Sequence, residues 1–158
     1  CAAKLRMEED MPHYSDANFT MRLSYGQVKE YKLGGRSSGY QTKAPSMVAK
    51  MKMAESVSDY KVEPEMISLM SSAGDMPLCF LTTNDITGGN SGSPMFNGKG
   101  ELIGLAFDGN WDALSSDISF DPALTRCIGV DIRFVMWLID KWGHADNLVE
   151  EVCPLADL

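Results

Sequence analysis

The sequence predicts a mostly β domain with short helices that ends in a C-terminal helix. Three observations support this fold class. Short apolar or alternating segments have the length of strands, and glycine-rich turns separate them. An apolar segment with helical spacing follows near residues 131–142. A chain of 158 residues is also long enough to bury the core of one domain.

Local patterns give the individual elements. Strands are predicted at residues 18–25, 27–33, 78–83, 95–96, 101–107 and 126–130. Short helices are predicted at residues 45–56, 64–72 and 132–142. The first two strands are expected to pair across Gly26, and residues 34–39 are expected to form a flexible loop. The methionines of the first helix are expected to pack against the strands.

Four positions have an expected role at the ends of elements. Asn97 and Gly98 fit a tight hairpin, because an Asn-Gly pair supplies the positive φ angles that such a turn requires. Asp131 is placed to cap the last helix. Gly143 is placed to end that helix.

One glycine-rich turn carries the strongest chemical signal. Residues 87–94 read TGGNSGSP and lead into an apolar strand. A serine hydroxyl needs a base and preorganised amide donors to attack an acyl group. The glycines allow a turn that points the N–H groups of Gly89 and Ser91 at one spot, which is typical of the nucleophile turn of a chymotrypsin-like serine protease. The alternative is an ordinary Gly/Ser surface hairpin.

The chain is acidic. It has 14 Lys and Arg against 22 Asp and Glu, a net charge of −8 and an isoelectric point near 4.7. No cationic stripe is available to displace counterions from phosphates, so we expect no nucleic-acid binding. No run of about 18 apolar residues is present, so we expect no membrane insertion.

The cysteines lack the spacing of a metal site. The sequence contains no CxxC pair, and only two histidines accompany the four cysteines. Zinc is therefore not expected. A calcium loop that starts at Asp108 would lack its glycine and its bidentate glutamate. We expect no metal and no cofactor, and we expect Cys79 and Cys127 to be small buried hydrophobic residues.

Four segments carry a family resemblance. They are residues 16–22 (DANFTMR), 84–94 (NDITGGNSGSP), 98–111 (GKGELIGLAFDGNW) and 130–133 (VDIR). They closely resemble the bacterial dipeptidyl-peptidase 7 and 11 family of serine exopeptidases, which remove dipeptides from peptide N-termini. The resemblance implies a chymotrypsin-like catalytic domain and a place in the periplasm or at the cell surface of a Gram-negative bacterium. It also implies peptide substrates and a homodimeric full-length protein.

The resemblance further implies that this chain is the C-terminal piece of a longer enzyme. Residues 16–143 would be the second β-barrel of a double-barrel protease, preceded by a connector at 1–15 and followed by a tail at 144–158. The catalytic His and Asp would lie in a first barrel upstream, so the chain alone is expected to be inactive. His13 and His144 are expected to be solvated surface residues.

Two residues beyond the turn are expected to select the substrate. A carboxylate at Asp108 favours a cation, which would be a basic P1 side chain or the free α-ammonium of a peptide. The resemblance favours the α-ammonium. The alternative is that Asp108 only caps the loop and binds no substrate. Gly109 is the specificity position by resemblance. Relatives that take acidic P1 residues carry an arginine there, so the glycine predicts an apolar P1 preference.

Two other functions remain open at this stage. One is a serine endopeptidase of the HtrA-like or glutamyl type, which shares a Gly-Asn-Ser-Gly turn. The Asp108–Gly109 pair argues against it, because an endopeptidase binds no free amine. The other is a non-catalytic peptide-binding module that keeps a protease-like barrel.

Overall fold

The computed structural model describes residues 21–54, 58–116 and 120–153. The strands are β1 (Lys32–Leu33), β2 (Arg36–Ser37), β3 (Gln41–Lys43), β4 (Pro77–Thr82), β5 (Pro94–Phe96), β6 (Leu102–Gly109) and β7 (Cys127–Asp131). The helices are α1 (Ala44–Met53), α2 (Pro64–Ser72), α3 (Ile132–Lys141) and α4 (Asp146–Val152), and a 3-10 helix covers Trp111–Ser115. The predicted combination of strands and short helices is confirmed.

The strands form two sheets. Strands β1 and β2 pair with each other, and a five-stranded sheet has the order β3-β4-β7-β6-β5. Strands β3 and β4 are antiparallel, with Gln41 opposite Phe80 and Thr42 opposite Cys79. Within the described ranges, no helix is long and apolar enough to cross a lipid bilayer.

The chain divides into two compact units. The first comprises the described residues of Cys1–Tyr40, Leu81–Met95 and Leu105–Gly129, and the second comprises those of Gln41–Phe80, Phe96–Gly104 and Val130–Leu158. The core of the second unit contains Ala44, Val48, Met70 and Leu78, with partly buried methionines and the aromatic rings of α3 packed against it. Met47 and Met51 therefore have the predicted packing role, although the cluster that they contact has Leu78 as its strand residue and otherwise comes from α1 and α2.

The predicted pairing of the first two strands is wrong. Val28 bridges Thr82 instead, and the N–H of Lys29 donates to the carbonyl of Leu81 at 3.0 Å. Residues 21–25 form no strand, and Met21 is fully exposed. Alternation of apolar and polar residues indicates an extended segment with one apolar side, but it does not identify the strand with which the segment pairs. Residues 18–20 and the predicted connector at 1–15 lie outside the described residues.

Two turns also differ from their predictions. The expected loop at 34–39 contains a hairpin, in which Gly34 and Gly35 connect β1 to β2. In the turn after β5, the positive φ belongs to Gly100, at 81°, rather than to Asn97 or Gly98. The side-chain oxygen of Asn97 accepts from the N–H groups of Lys99 and Glu101 instead.

The C-terminal helix forms as predicted. The Asp131 side chain caps α3 by accepting from the N–H of Arg133 at 3.0 Å. The left-handed residue after this helix is His144, with φ of 46°, and Gly143 donates its N–H to the carbonyl of Leu138. The predicted tail contains an additional helix, α4, over Asp146–Val152.

Candidate active site

The glycine-rich turn is held together by its own asparagine. The side-chain oxygen of Asn90 accepts from the backbone N–H of Thr87 at 2.9 Å. The backbone N–H of Asn90 donates to the Thr87 carbonyl at 3.2 Å. The N–H of Ser93 donates to the Asn90 carbonyl at 2.9 Å. Gly89 and Gly92 have φ angles of 95° and 86°, which side chains rarely tolerate. The sequence folds into this turn because glycine occupies both left-handed positions.

The turn is attached to β6 by backbone hydrogen bonds. The N–H of Gly92 donates to the Ala106 carbonyl at 2.7 Å, and the N–H of Ala106 donates to the Ser93 carbonyl at 2.9 Å. This pairing places the hydroxyl of Ser91 next to the following residue of β6. The Ser91 Oγ donates to the carbonyl of Phe107 at 3.4 Å, a long hydrogen bond that leaves an exposed hydroxyl.

The amide groups predicted to hold an oxyanion belong to Gly89 and Ser91. Within the described part of the chain, neither the N–H of Gly89 nor that of Ser91 makes a hydrogen bond. Gly89 and Ser91 are exposed residues, so we expect their amides to be available to a ligand, whereas the Asn90 and Gly92 amides are used by the turn and by β6.

A cleft of about 250 Å³ lies beside this turn. Its lining includes three of the four predicted site residues, namely Ser91, Asp108 and Gly109. Gly89, the fourth, does not line it. The rest of the wall includes Phe107 and Leu114, and no lysine or arginine of the described ranges contributes to the lining. The structure therefore brings a hydroxyl, a carboxylate and an open stretch of strand into one cavity.

Asp108 is exposed and lies near the end of β6. Its Oδ1 accepts from the N–H of Gly109 at 2.8 Å, which orients the carboxylate on its own strand. The charge also acts on a neighbour in the same unit. Burial raises the pKa of the Cys127 thiol to about 11, and the negative charge of Asp108 adds to that rise.

Two residues missed by sequence reasoning hold this end of β6 in place. Asn110 is 8% exposed and Arg126 is 1% exposed. The N–H of Asn110 donates to the Arg126 carbonyl at 3.0 Å, and the Asn110 side-chain oxygen accepts from the Arg126 N–H at 2.9 Å. The Asn110 amide also donates to the Leu124 carbonyl at 2.8 Å. These bonds tie β6 to the loop before β7.

The Arg126 side chain is a buried cation surrounded by backbone oxygens. Its guanidinium donates to the carbonyls of Lys29, Glu30, Pro122, Ala123 and Thr125. The shortest of these bonds is 2.6 Å, to Thr125. The interaction connects the segment before β1 to the loop that supports Asn110. No sequence motif identifies the role of Arg126, because its hydrogen-bond acceptors are backbone groups.

The remaining predictions concern the histidines, the cysteines and a metal site. His144 is exposed beyond α3, and His13 lies outside the described residues. Cys127 is fully buried, whereas Cys79 is only partly buried, and Cys153 is exposed. Among the residues that the structure describes, no three His, Cys, Asp or Glu side chains lie close enough together to hold a metal ion.

Comparison with known proteins gives a consistent picture. The model of the family Peptidase S46 matches residues 1–153. Dipeptidyl-peptidase 7 of Porphyromonas endodontalis is 49% identical over 160 residues, covering 96% of this chain and 19% of the relative. An Asp/Glu-specific dipeptidyl-peptidase of Shewanella putrefaciens is 36% identical over 172 residues, covering 89% of this chain and 23% of the relative.

Solved structures agree with the sequence relatives. The crystal structure of Porphyromonas endodontalis DPP11 in complex with the dipeptide Arg-Glu matches with a TM-score of 0.80 and 34% identity, over 96% of this chain and 23% of that chain. The chain thus spans about a fifth of the length of the relatives that it matches. Since the family model covers nearly all of its residues, the chain belongs to the Peptidase S46 family.

Proposed function

We propose that this chain is the nucleophile-bearing part of a serine-type dipeptidyl peptidase. The observation that carries the proposal is the cleft that is lined by Ser91, Asp108 and Gly109 together. Relatives named dipeptidyl-peptidase 7 are 45–49% identical to the chain, which supports the same reaction class.

In this proposal, Ser91 is the nucleophile. Its Oγ attacks the carbonyl of the second peptide bond while an imidazole accepts the hydroxyl proton. The oxyanion of the tetrahedral intermediate is held by the N–H groups of Gly89 and Ser91, which are free of other partners in the described chain. As the intermediate collapses, the C–N bond breaks and the imidazolium gives its proton to the leaving amine of the remaining peptide. Water then hydrolyses the ester on Ser91, which releases the dipeptide and restores the Ser91 hydroxyl.

The imidazole and its partner carboxylate would come from outside this chain. We assign the five-stranded sheet to the second barrel of a chymotrypsin-like double-barrel enzyme, with the catalytic His and Asp in the first. The exposed hydroxyl of Ser91 supports this assignment, because it is open to a base supplied by another part of the protein. We extend the proposal to a homodimer in the periplasm or at the cell surface, as in the family that the motifs resemble.

Asp108 would bind the α-ammonium group of the substrate. It is the charged side chain that lines the cleft with Ser91, so an N-terminal cation held there would be a fixed distance from the nucleophile. A fixed distance of this kind restricts hydrolysis to the second peptide bond. An endopeptidase has no use for such an anchor.

The P1 side chain would be apolar. The cleft wall includes Phe107, Ala113 and Leu114, and among the residues that the structure describes no lysine or arginine lines it to bind an acidic side chain. Some relatives at 34–37% identity are named Asp/Glu-specific, so an acidic preference is the competing assignment. The negative charge of Asp108 at the same cleft disfavours an acidic P1 residue.

The central test uses the full-length protein that contains this chain. Ser91→Ala should lower kcat/KM for a Leu-P1 dipeptidyl reporter by at least about 10³-fold, because the nucleophile is lost. Ser93→Ala is the matched control, since this serine lies in the same turn but does not line the cleft. The 158-residue chain alone should release no dipeptide. Equal activity of the two alanine variants would contradict the assignment of Ser91.

A second test separates exopeptidase from endopeptidase activity. Blocking the substrate N-terminus by acetylation should abolish hydrolysis, because Asp108 would lose its cationic partner. Asp108→Asn keeps the shape and removes the charge, and it should lower kcat/KM by about 10- to 100-fold for the free peptide. Efficient hydrolysis of acetylated peptides by the parent enzyme would instead indicate an endopeptidase. Peptide binding without any hydrolysis by the full-length protein would indicate a non-catalytic module.

A further inference from the structure

A neighbouring atom, the Cβ of Ala113, closes position 109 to side chains. A Cβ added to Gly109 would lie 2.6 Å from the Cβ of Ala113 and 3.7 Å from the carbonyl oxygen of Arg126. Carbon atoms pack at about 3.5–4.0 Å, so the first distance is a clash and the second is an ordinary contact. The φ angle of Gly109 lies outside the left-handed region, so the backbone conformation is open to any residue. Within the described part of the chain, Ala113 alone accounts for the exclusion.

Ala113 has little freedom to move away from this position. Its N–H donates to the Asn110 carbonyl at 2.9 Å, and its own carbonyl accepts from the N–H of Ser116 at 3.1 Å. Asn110 is in turn fixed by backbone and side-chain bonds to Arg126. A side chain at position 109 must therefore displace a hydrogen-bonded 3-10 helix or the end of β6 that carries Asp108.

We propose that Ala113 is a specificity-determining residue that acts together with Gly109. Both residues line the cleft that contains Ser91. The inference rests on the proposed dipeptidyl-peptidase function, because it concerns the P1 side chain that this cleft would accept. With alanine at 113, position 109 must remain glycine and the pocket remains open to apolar P1 groups. A change of P1 class then requires substitution at both positions.

The first experiment is a double-mutant cycle in the full-length enzyme. Gly109→Ala should lower kcat/KM for a Leu-P1 dipeptidyl reporter by about tenfold or more, because the new Cβ displaces the cleft wall. Ala113→Gly removes the opposing atom, so the Gly109→Ala/Ala113→Gly enzyme should return to within about threefold of the Ala113→Gly enzyme. Ser115→Gly is the matched control. It loosens the same 3-10 helix outside the cleft lining and should not rescue Gly109→Ala.

The second experiment tests the change of substrate class. Gly109→Arg alone should be poorly active on Leu-P1 and Asp-P1 reporters, because the guanidinium stem meets Ala113. The Gly109→Arg/Ala113→Gly enzyme should hydrolyse the Asp-P1 reporter at least about tenfold faster than Gly109→Arg does, since a guanidinium can then bind the substrate carboxylate.

The outcomes distinguish this inference from the proposed function. If the parent enzyme releases no dipeptides, the proposed function fails. The steric coupling is then measured by thermal unfolding, in which Gly109→Ala should lower the Tm and Ala113→Gly should lower it less in that background than in the parent. The inference is overturned if Gly109→Ala is as active and as stable as the parent. It is also overturned if Ser115→Gly rescues Gly109→Ala as well as Ala113→Gly does, or if the two substitutions are additive.

Discussion

The two units of the chain bury different kinds of side chain. Among the described residues, the second unit buries Ala44, Val48, Met70, Leu78 and Phe80 with one polar side chain, Asp131. The first unit buries Ala106 and Cys127 with four polar side chains: Thr82, Asn110, Thr125 and Arg126. Asn110 and Arg126 are held by directional hydrogen bonds, so the end of β6 that carries the candidate site depends on bonds of this kind.

The kind of buried side chain determines how precisely a unit positions its atoms. Apolar packing depends mainly on volume and tolerates substitutions of similar size. A hydrogen-bonded network fixes the positions of individual atoms, and it is costly when one partner is removed. Asp108 and Gly109 lie directly before Asn110, so the network that holds Asn110 also holds the proposed substrate-binding end of β6.

The largest expected effect is at Arg126. Arg126→Met keeps much of the side-chain length but removes a buried guanidinium and the donor of five backbone carbonyls, so it should lower the free energy of unfolding by about 3–5 kcal/mol. Arg133→Met is the control, because the Arg133 side chain is 64% exposed and bonded to Asp131 at the start of α3. Urea unfolding of the 158-residue chain measures both. Equal losses for the two variants would show that the Arg126 network does not stabilise the first unit.

The second unit follows closely from the sequence. Helix α2 begins and ends at the predicted residues, Pro64 and Ser72, because proline at the first helical position and the apolar spacing are local signals. Local signals also predict the cap of α3 at Asp131 and the side of α1 that is buried. Local periodicity identifies the face that a helix buries, and a single apolar cluster then completes the packing.

The candidate site was predictable only in part. Ser91, Asp108 and Gly109 belong to motifs, and the structure places them in one cleft. The network around Arg126 was not predictable, because its acceptors on Lys29 and Glu30 are main-chain oxygens 97 and 96 residues away. The contact between positions 109 and 113 depends on the 3-10 helix, whose formation has no sequence signal.

The next largest effect concerns the buried thiol of the first unit. Burial raises the pKa of Cys127 from 9.0 to about 11. Between these values the unfolded chain has lost the proton and the folded chain has kept it, so the free energy of unfolding should fall as the pH rises. The expected loss is about 2 kcal/mol between pH 9 and 11.

The measurement is urea unfolding across this pH range in three forms of the chain. Cys127→Ala should remove the part of the pH dependence that belongs to this thiol, whereas Cys153→Ala should keep it, because Cys153 is exposed. An unchanged slope in Cys127→Ala would mean that the thiol is hydrated in solution. That result would weaken the contrast between the buried groups of the two units, because water would then reach the interior of the first unit.

The smallest expected effect is that of Met70→Leu, which tests the tolerance of the second unit; Met70→Ala is its disruptive reference. Met70 is 2% exposed and lies in the apolar cluster with Val48 and Leu78. Met70→Leu conserves the volume and polarity of the side chain, so it should change the free energy of unfolding by about 1 kcal/mol or less. Met70→Ala should cost about 2–5 kcal/mol, because it leaves a cavity. Both values come from the midpoint and slope of urea unfolding. A loss above about 3 kcal/mol for Met70→Leu would mean that the second unit depends on exact shape as strictly as the first depends on its hydrogen bonds.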